Sequence, residues 1–144
     1  MTGESATPLA MLDTSALLDL PVALAEHLTE FASSQLCRAE LEFGVALRRR
    51  RGQAGAAKRT EALLIVFDEA RIWLPFDSAA SSAYGLMAAT AHAHAPAKAR
   101  STDAFIAAHA KAVELPVITC NVPDFKQFDV RVMSPSQAVA LLNG

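Results

Sequence analysis

The sequence predicts a three-layer α/β/α sandwich on a mostly parallel central sheet, with residues 1–144 forming one domain. Three observations carry this reading. Leu9-Ala10-Met11-Leu12 is an apolar run long enough for a buried strand, closed abruptly by the carboxylate and two hydroxyls of Asp13-Thr14-Ser15. Pro116-Val117-Ile118-Thr119-Cys120 repeats the pattern late in the chain, closed by Asn121-Val122-Pro123-Asp124-Phe125. Between the two, strand-like and helical segments alternate. A strand that follows such a helix joins a parallel sheet through a right-handed crossover. The carboxyl ends of those strands then share one edge, where open α/β sheets place ligands.

The elements follow in order. Thr14 or Ser15 caps a turn of helix over residues 16–20, and Pro21 separates it from a second short helix over residues 22–28, with Leu24 and Leu28 one turn apart. Phe31-Ala32-Ser33 is weakly strand-like. Residues 35–51 form the first long helix, with Leu36, Phe43 and Leu47 apolar at helical spacing, supplemented by Cys37, Leu41 and Gly44. A helix over residues 56–70 turns Leu63, Leu64 and Phe67 inward. Ile72-Trp73-Leu74 is a strand in which Trp73 packs, and Asp77 or Ser78 caps a helix that runs to His92 before Pro96 breaks it. Ser101 or Thr102 caps the alanine-rich helix that follows. Val130 to Met133 suggests an edge strand, and Ser134-Pro135 opens the terminal helix.

Composition narrows the function classes. A chain of this length buries about 68–70% of its unfolded surface, and 52% apolar residues exclude disorder. No stretch approaches the roughly 18 uninterrupted apolar residues of a membrane helix. Glu4, with no early Lys or Arg, argues against a signal peptide, so the expected location is the cytoplasm. Cys37 and Cys120 have no metal-ligand spacing and read as buried free thiols. His92 and His94 point in different directions on a helix, which is poor zinc geometry.

The net charge is −2, yet Arg48, Arg49, Arg50, Arg51, Lys58 and Arg59 crowd one stretch, and Lys98 and Arg100 stand alone between Asp77 and Asp103. Such local positive rims draw a polyanion toward an acidic centre.

Four segments deliver carboxylates to the expected edge. Asp13 ends a strand, Glu40 falls among the apolar positions of a helix, and Asp103 sits in the first turn of a helix too poor in charge to face open water. Asn121 and Asp124 follow the second strand. No glycine-rich phosphate loop or serine elbow is present. Carboxylates without His or Cys suit Mg²⁺ or Mn²⁺, and converging carboxylates repel one another unless a cation sits among them.

At these residues the sequence resembles the PIN-domain ribonucleases, and within them the toxins of the VapBC toxin–antitoxin class. The matching stretches are Leu12-Asp13-Thr14-Ser15-Ala16, the helix holding Ser34 to Glu40 and Leu41, Thr102-Asp103-Ala104-Phe105-Ile106-Ala107-Ala108, and Val117-Ile118-Thr119-Cys120-Asn121 followed by Asp124-Phe125. The resemblance implies that Asp13, Glu40 and Asp103 coordinate Mg²⁺ or Mn²⁺, with Thr14 or Ser15 as the supporting hydroxyl. Many family members carry Asp directly after the second strand, where this chain has Asn121; Asp124, three residues on, matches the acid of the family's x-x-D-F continuation, so either residue completes the implied site. The implied activity is hydrolysis of an RNA phosphodiester by metal-activated water, on a tRNA or rRNA loop. The implied partners are a cognate antitoxin and a second copy of the chain, with no membrane. Two rivals are weighed. A haloacid-dehalogenase-type phosphatase needs an acid where Ser15 stands, and a catalytically silent PIN-like binding module draws its support from Asn121.

Overall fold

The computed structural model describes residues 7–144, and Glu4 lies outside them. Five strands form one parallel sheet in the order β3-β2-β1-β4-β5: β1 (Met11–Leu12), β2 (Ala32–Ser34), β3 (Trp73–Leu74), β4 (Val117–Ile118) and β5 (Val132–Met133). β1 lies at the centre, with Met11 beside both Ala32 and Val117. The chain leaves β1 toward β2 on one side and later returns to β4 on the other. The junction of β1 and β4 is therefore the topological switch point, the place where such sheets open a crevice.

The strands are shorter than the apolar runs that encode them, because pairing extends through isolated bonds. The Leu9 amide donates to the Glu30 carbonyl (2.8 Å), the Asp13 amide to Ile118 (3.0 Å) and the Thr119 amide to Met133 (3.0 Å). Met11, Leu12, Val117 and Ile118 are fully buried, as expected for strands covered on both faces.

The helices are α1 (Thr14–Leu18), α2 (Val22–Ala25), α3 (Gln35–Arg50), α4 (Ala54–Ala70), α5 (Ser78–His92), α6 (Pro96–Ala99), α7 (Thr102–Ala112) and α8 (Pro135–Asn143). α1 is capped by Asp13, whose carboxylate accepts the Ala16 amide, and not by Thr14 or Ser15, which lie inside the helix. Ser34, Asp77, Ser101 and Ser134 each accept a backbone N–H, and Ser134 completes a capping box with Gln137. Gly52 takes φ +74 after α3, a left-handed conformation that a side chain would strain.

Two expectations differ from the structure. The buried stripe of α3 is Cys37, Leu41 and Val45, at i, i+4 and i+8, while Phe43 is 67% exposed and Leu36 and Leu47 are half-buried. The helix expected over residues 22–28 is α2 followed by a separate 3₁₀ turn at Leu28–Glu30. Leu24 and Leu28 are both buried and belong to the core.

The pair α3–α4 is tied along its length. Arg38 donates from Nε and Nη2 to both carboxylate oxygens of Asp68 (3.0 and 2.9 Å), which also accepts from the Trp73 indole (2.6 Å), and Trp73 meets Phe67 edge-on. The paired guanidinium holds the Asp68 carboxyl below its usual range. Part of the arginine run is spent on the same pair: Arg48 donates to Thr60 (3.2 Å), and Arg49 pairs with Glu61. At 1.5 Å per residue, Arg48 stands about 12 Å along the helix from Glu40. The run therefore marks the far end of α3, not the immediate rim of the acids.

Candidate active site

Parallel strands put every carboxyl end at one edge, and the sequence places polar residues there. Asp13 follows β1 directly and caps α1. Its Oδ1 accepts from the Ala16 amide (2.9 Å) and from the Ser15 hydroxyl (2.7 Å), which fixes the carboxylate at 6% exposure. Glu40 reaches the same edge from the second turn of α3, where Thr14 Oγ1 donates to its Oε1 (2.5 Å). Asp103 comes from the first turn of α7, whose free N–H groups favour a negative charge. Asn121 arrives from the turn after β4. Asp13, Thr14, Ser15, Leu18, Glu40, Asp103, Ile106 and Asn121 line one cleft of about 290 Å³.

A hydroxyl network stitches the two strand ends together. Ser15 Oγ spends its proton on Asp13 and accepts from the Cys120 amide (3.0 Å), so Thr119 Oγ1, 3.2 Å away, is the donor to it. Thr119 Oγ1 in turn accepts from the Asn121 amide (3.0 Å), which sets the direction of the turn. Thr119 is the site residue that sequence reasoning missed. Its signal is a hydroxyl inside an apolar run, which needs a partner once buried.

A second clamp holds the helices that carry Glu40 and Asp103. Buried His109 of α7 places Nδ1 2.9 Å from Ser34 Oγ, the hydroxyl that caps α3, and Phe76 packs edge-on against its ring. Burial lowers the His109 pKa, so the ring favours its neutral form.

Asp124 lies outside the cleft lining, on the 3₁₀ turn Val122–Phe125. Lys98 Nζ stands 3.5 Å from Asp124 Oδ1 and 3.7 Å from Asp103 Oδ2, so the lysine joins this acid to the cleft. Of the predicted residues, the structure thus gathers Asp13, Ser15, Glu40, Asp103 and Asn121, and sets Asp124 at the border. Cys37 is buried, and burial pushes its thiol up to about 11. Cys120 is exposed, contrary to expectation, because it lies just past β4 on the polar edge; its Sγ donates to the Ser15 carbonyl at 3.6 Å.

The carboxyls of the cleft carry the cost of proximity. Glu40 is held above the usual glutamate range by burial and by the charges of Asp103 and Asp13, against the bond from Thr14. Asp103 is raised by burial and by Asp13 and Asp124, with Lys98 opposing. A carboxyl raised in the folded state binds its proton more tightly there. Stability therefore falls as pH climbs from the ordinary glutamate value, about 4.3, through the raised one, and the full penalty persists above it. Glu40→Gln keeps an oxygen for Thr14 and removes that penalty. In chelator at neutral pH its thermal midpoint is expected to exceed wild type by a few degrees, with the gap closing near pH 4. A thermal-shift series across pH checks this, and equal midpoints at every pH would contradict it.

All-oxygen donors under mutual repulsion fit a hard divalent cation in chemistry. In position the fit is incomplete: among the described residues, no three His, Cys, Asp or Glu side chains converge closely enough to hold an ion. Asp13, Glu40 and Asp103 share the cleft without closing on one point.

Comparison with known proteins agrees with the fold. The family model described as "PIN domain" matches residues 10–130. Among solved structures, VapBC2 from Rickettsia felis, bound to a DNA fragment from its promoter, is similar at TM-score 0.68 and 21% identity, over 87% of this chain and 97% of that one. FitAcB from Neisseria gonorrhoeae is similar at TM-score 0.63 and 27% identity, over 89% and 99%. A DNA-bound VapBC from Salmonella typhimurium is similar at TM-score 0.65 and 22% identity, over 90% and 99%. No curated protein sequence matches the chain. With most of its length matched by the family model and its acids gathered at the sheet's switch point, the chain belongs to the PIN domain family.

Proposed function

We propose that this protein is a metal-dependent endoribonuclease of the VapC type, the toxin of a toxin–antitoxin pair, which hydrolyses RNA phosphodiester bonds. The observation that carries the reading is the delivery of Asp13, Glu40, Asp103 and Asn121 from four separate segments to one cleft. The structural likeness to VapBC and FitAcB assemblies supports the same class.

In this reading Asp13, Glu40 and Asp103 hold Mg²⁺ or Mn²⁺, and Asn121 or Asp124 is the fourth candidate. The ion supplies activated water and offsets the charge that develops on phosphorus. The chain's own groups do the rest. Ser15 and the Ala16 amide occupy Asp13 Oδ1 and so direct Oδ2, while Thr14 holds Glu40. The Asn121 carboxamide adds a neutral donor and acceptor, suited to orienting water or a phosphate oxygen. Lys98 provides positive charge at the border of the cleft. The substrate class is a structured RNA, tRNA or rRNA, and the protein acts in the cytoplasm as a homodimer until its antitoxin binds. Exposed Val22, Phe43, Ile65, Val66 and Leu86 support partner contacts, since large apolar side chains in water favour being covered.

Purified protein incubated with structured RNA in Mn²⁺ is expected to leave fragments with 5′-phosphate ends, and chelator to stop the reaction. The carboxylates' failure to converge favours a second reading, a silent RNA-binding module. Retention of intact RNA in Mn²⁺ would select it.

A further inference from the structure

We infer that Lys98 is the built-in counter-ion of Asp103 and Asp124, so that Asp124 serves as the lysine's partner and the cleft takes one divalent ion instead of two. This rests on the metal-dependent reading above and decides which residue completes the site.

The lysine is held at its place. Its backbone carbonyl accepts from both the Ser101 amide (3.0 Å) and the Ser101 hydroxyl (2.6 Å), and the same hydroxyl accepts from the Ala104 amide (3.3 Å) to cap α7. The next residue, Ala99, is buried, and its carbonyl accepts from Tyr84 Oη (3.0 Å). Tyr84 itself stacks flat on Phe105, with centroids 4.0 Å apart, two residues beyond Asp103. The turn that positions Lys98 is therefore the turn that starts the Asp103 helix, and the two side chains meet through one rigid cap. Asp124 is presented from the other side by the 3₁₀ turn after β4, whose Phe125 is buried in the core.

One ammonium, 3.7 Å from Asp103 and 3.5 Å from Asp124, already offsets half the charge of the two carboxylates with a positive group that the protein carries itself. A second divalent ion there would have to displace the ammonium or sit against it. Asp13 and Glu40, by contrast, have no lysine or arginine ion-paired to them among the described residues, which leaves one external cation to sit between them and the cleft side of Asp103.

The test is a Mn²⁺ titration of the whole metal-free chain without RNA, with free Mn²⁺ read by electron paramagnetic resonance. Wild type is expected to bind one ion. Lys98→Met is expected to bind a second, or to bind its ion about tenfold more tightly, since removing a nearby positive charge favours a cation. Lys98→Arg is expected to match wild type. Adding Asp124→Asn to Lys98→Met should cancel the gain, while Asp124→Asn alone, at a well-exposed position, should leave one ion bound with affinity within about threefold. The inference is overturned if Lys98→Met titrates like wild type while both bind one ion, if wild type binds two, or if Asp124→Asn abolishes binding. If no form binds Mn²⁺, the metal-dependent reading falls, and this inference with it. Lys98→Gln replaces Lys98→Met should the latter not fold.

Discussion

Asp13→Asn is expected to fold normally and to cleave RNA about a thousandfold more slowly than wild type, or ~4 kcal/mol of barrier at ~1.4 kcal/mol per decade. The two halves of this expectation have separate causes. Asn caps helices as well as Asp does, so its side-chain oxygen can still accept the Ala16 amide and the Ser15 hydroxyl that now fix Oδ1. The thermal midpoint should move by only a few degrees. What disappears is the negative charge at the switch point between β1 and β4, where Asp13 lines the cleft. A neutral oxygen is a much poorer partner for a divalent cation. The comparison needs rates in saturating Mn²⁺ and a thermal scan of both proteins. Unaltered cleavage by the variant would remove Asp13 from the chemistry.

The second large effect is on the cell. Expression of wild type alone should arrest growth almost completely, and co-expression of the small protein encoded beside it should restore growth and co-purify. Asp103→Ala should be harmless at equal soluble levels. An inhibitor can place an Arg or Lys among the cleft acids and supply the compensation that the metal gives otherwise. Leu24 and Leu28 are buried and offer it no apolar contact, whereas Leu18, which lines the cleft, is exposed, as are Val22 on α2 and Phe43 on α3. A wild-type chain that is soluble and harmless would end the toxin reading while leaving the fold and the metal question standing.

The fold class was legible because two buried strands closed by polar residues constrain topology strongly. Asp13 and Asn121 had to meet once β1 and β4 were parallel neighbours. Helix starts were equally legible, since a Ser or Asp cap is a local interaction. The inward face of α3 was not. Leu36-Phe43-Leu47 and Cys37-Leu41-Val45 are interleaved apolar stripes, and exposure of an apolar residue such as Phe43 violates no physical rule. Cys120 was misread for a related reason: its apolar neighbours belong to the strand, whereas its own position is the second beyond it. The acids themselves were found by their lack of sequence-local partners. Their relation to Lys98 was out of reach, because it depends on how α6 is tied to the cap of α7 and on where the turn carrying Asp124 comes to rest.

The central claim is that the cleft at the sheet's carboxyl edge holds a divalent cation. A crystal of the protein soaked in Mn²⁺, with anomalous scattering used to place the ion, tests it most directly. The account predicts one peak in the cleft, with Asp13, Glu40 and Asp103 turned toward it and Asp124 still paired with Lys98. An empty cleft at saturating Mn²⁺, or an ion bound without Asp13 and Asp103, would contradict it.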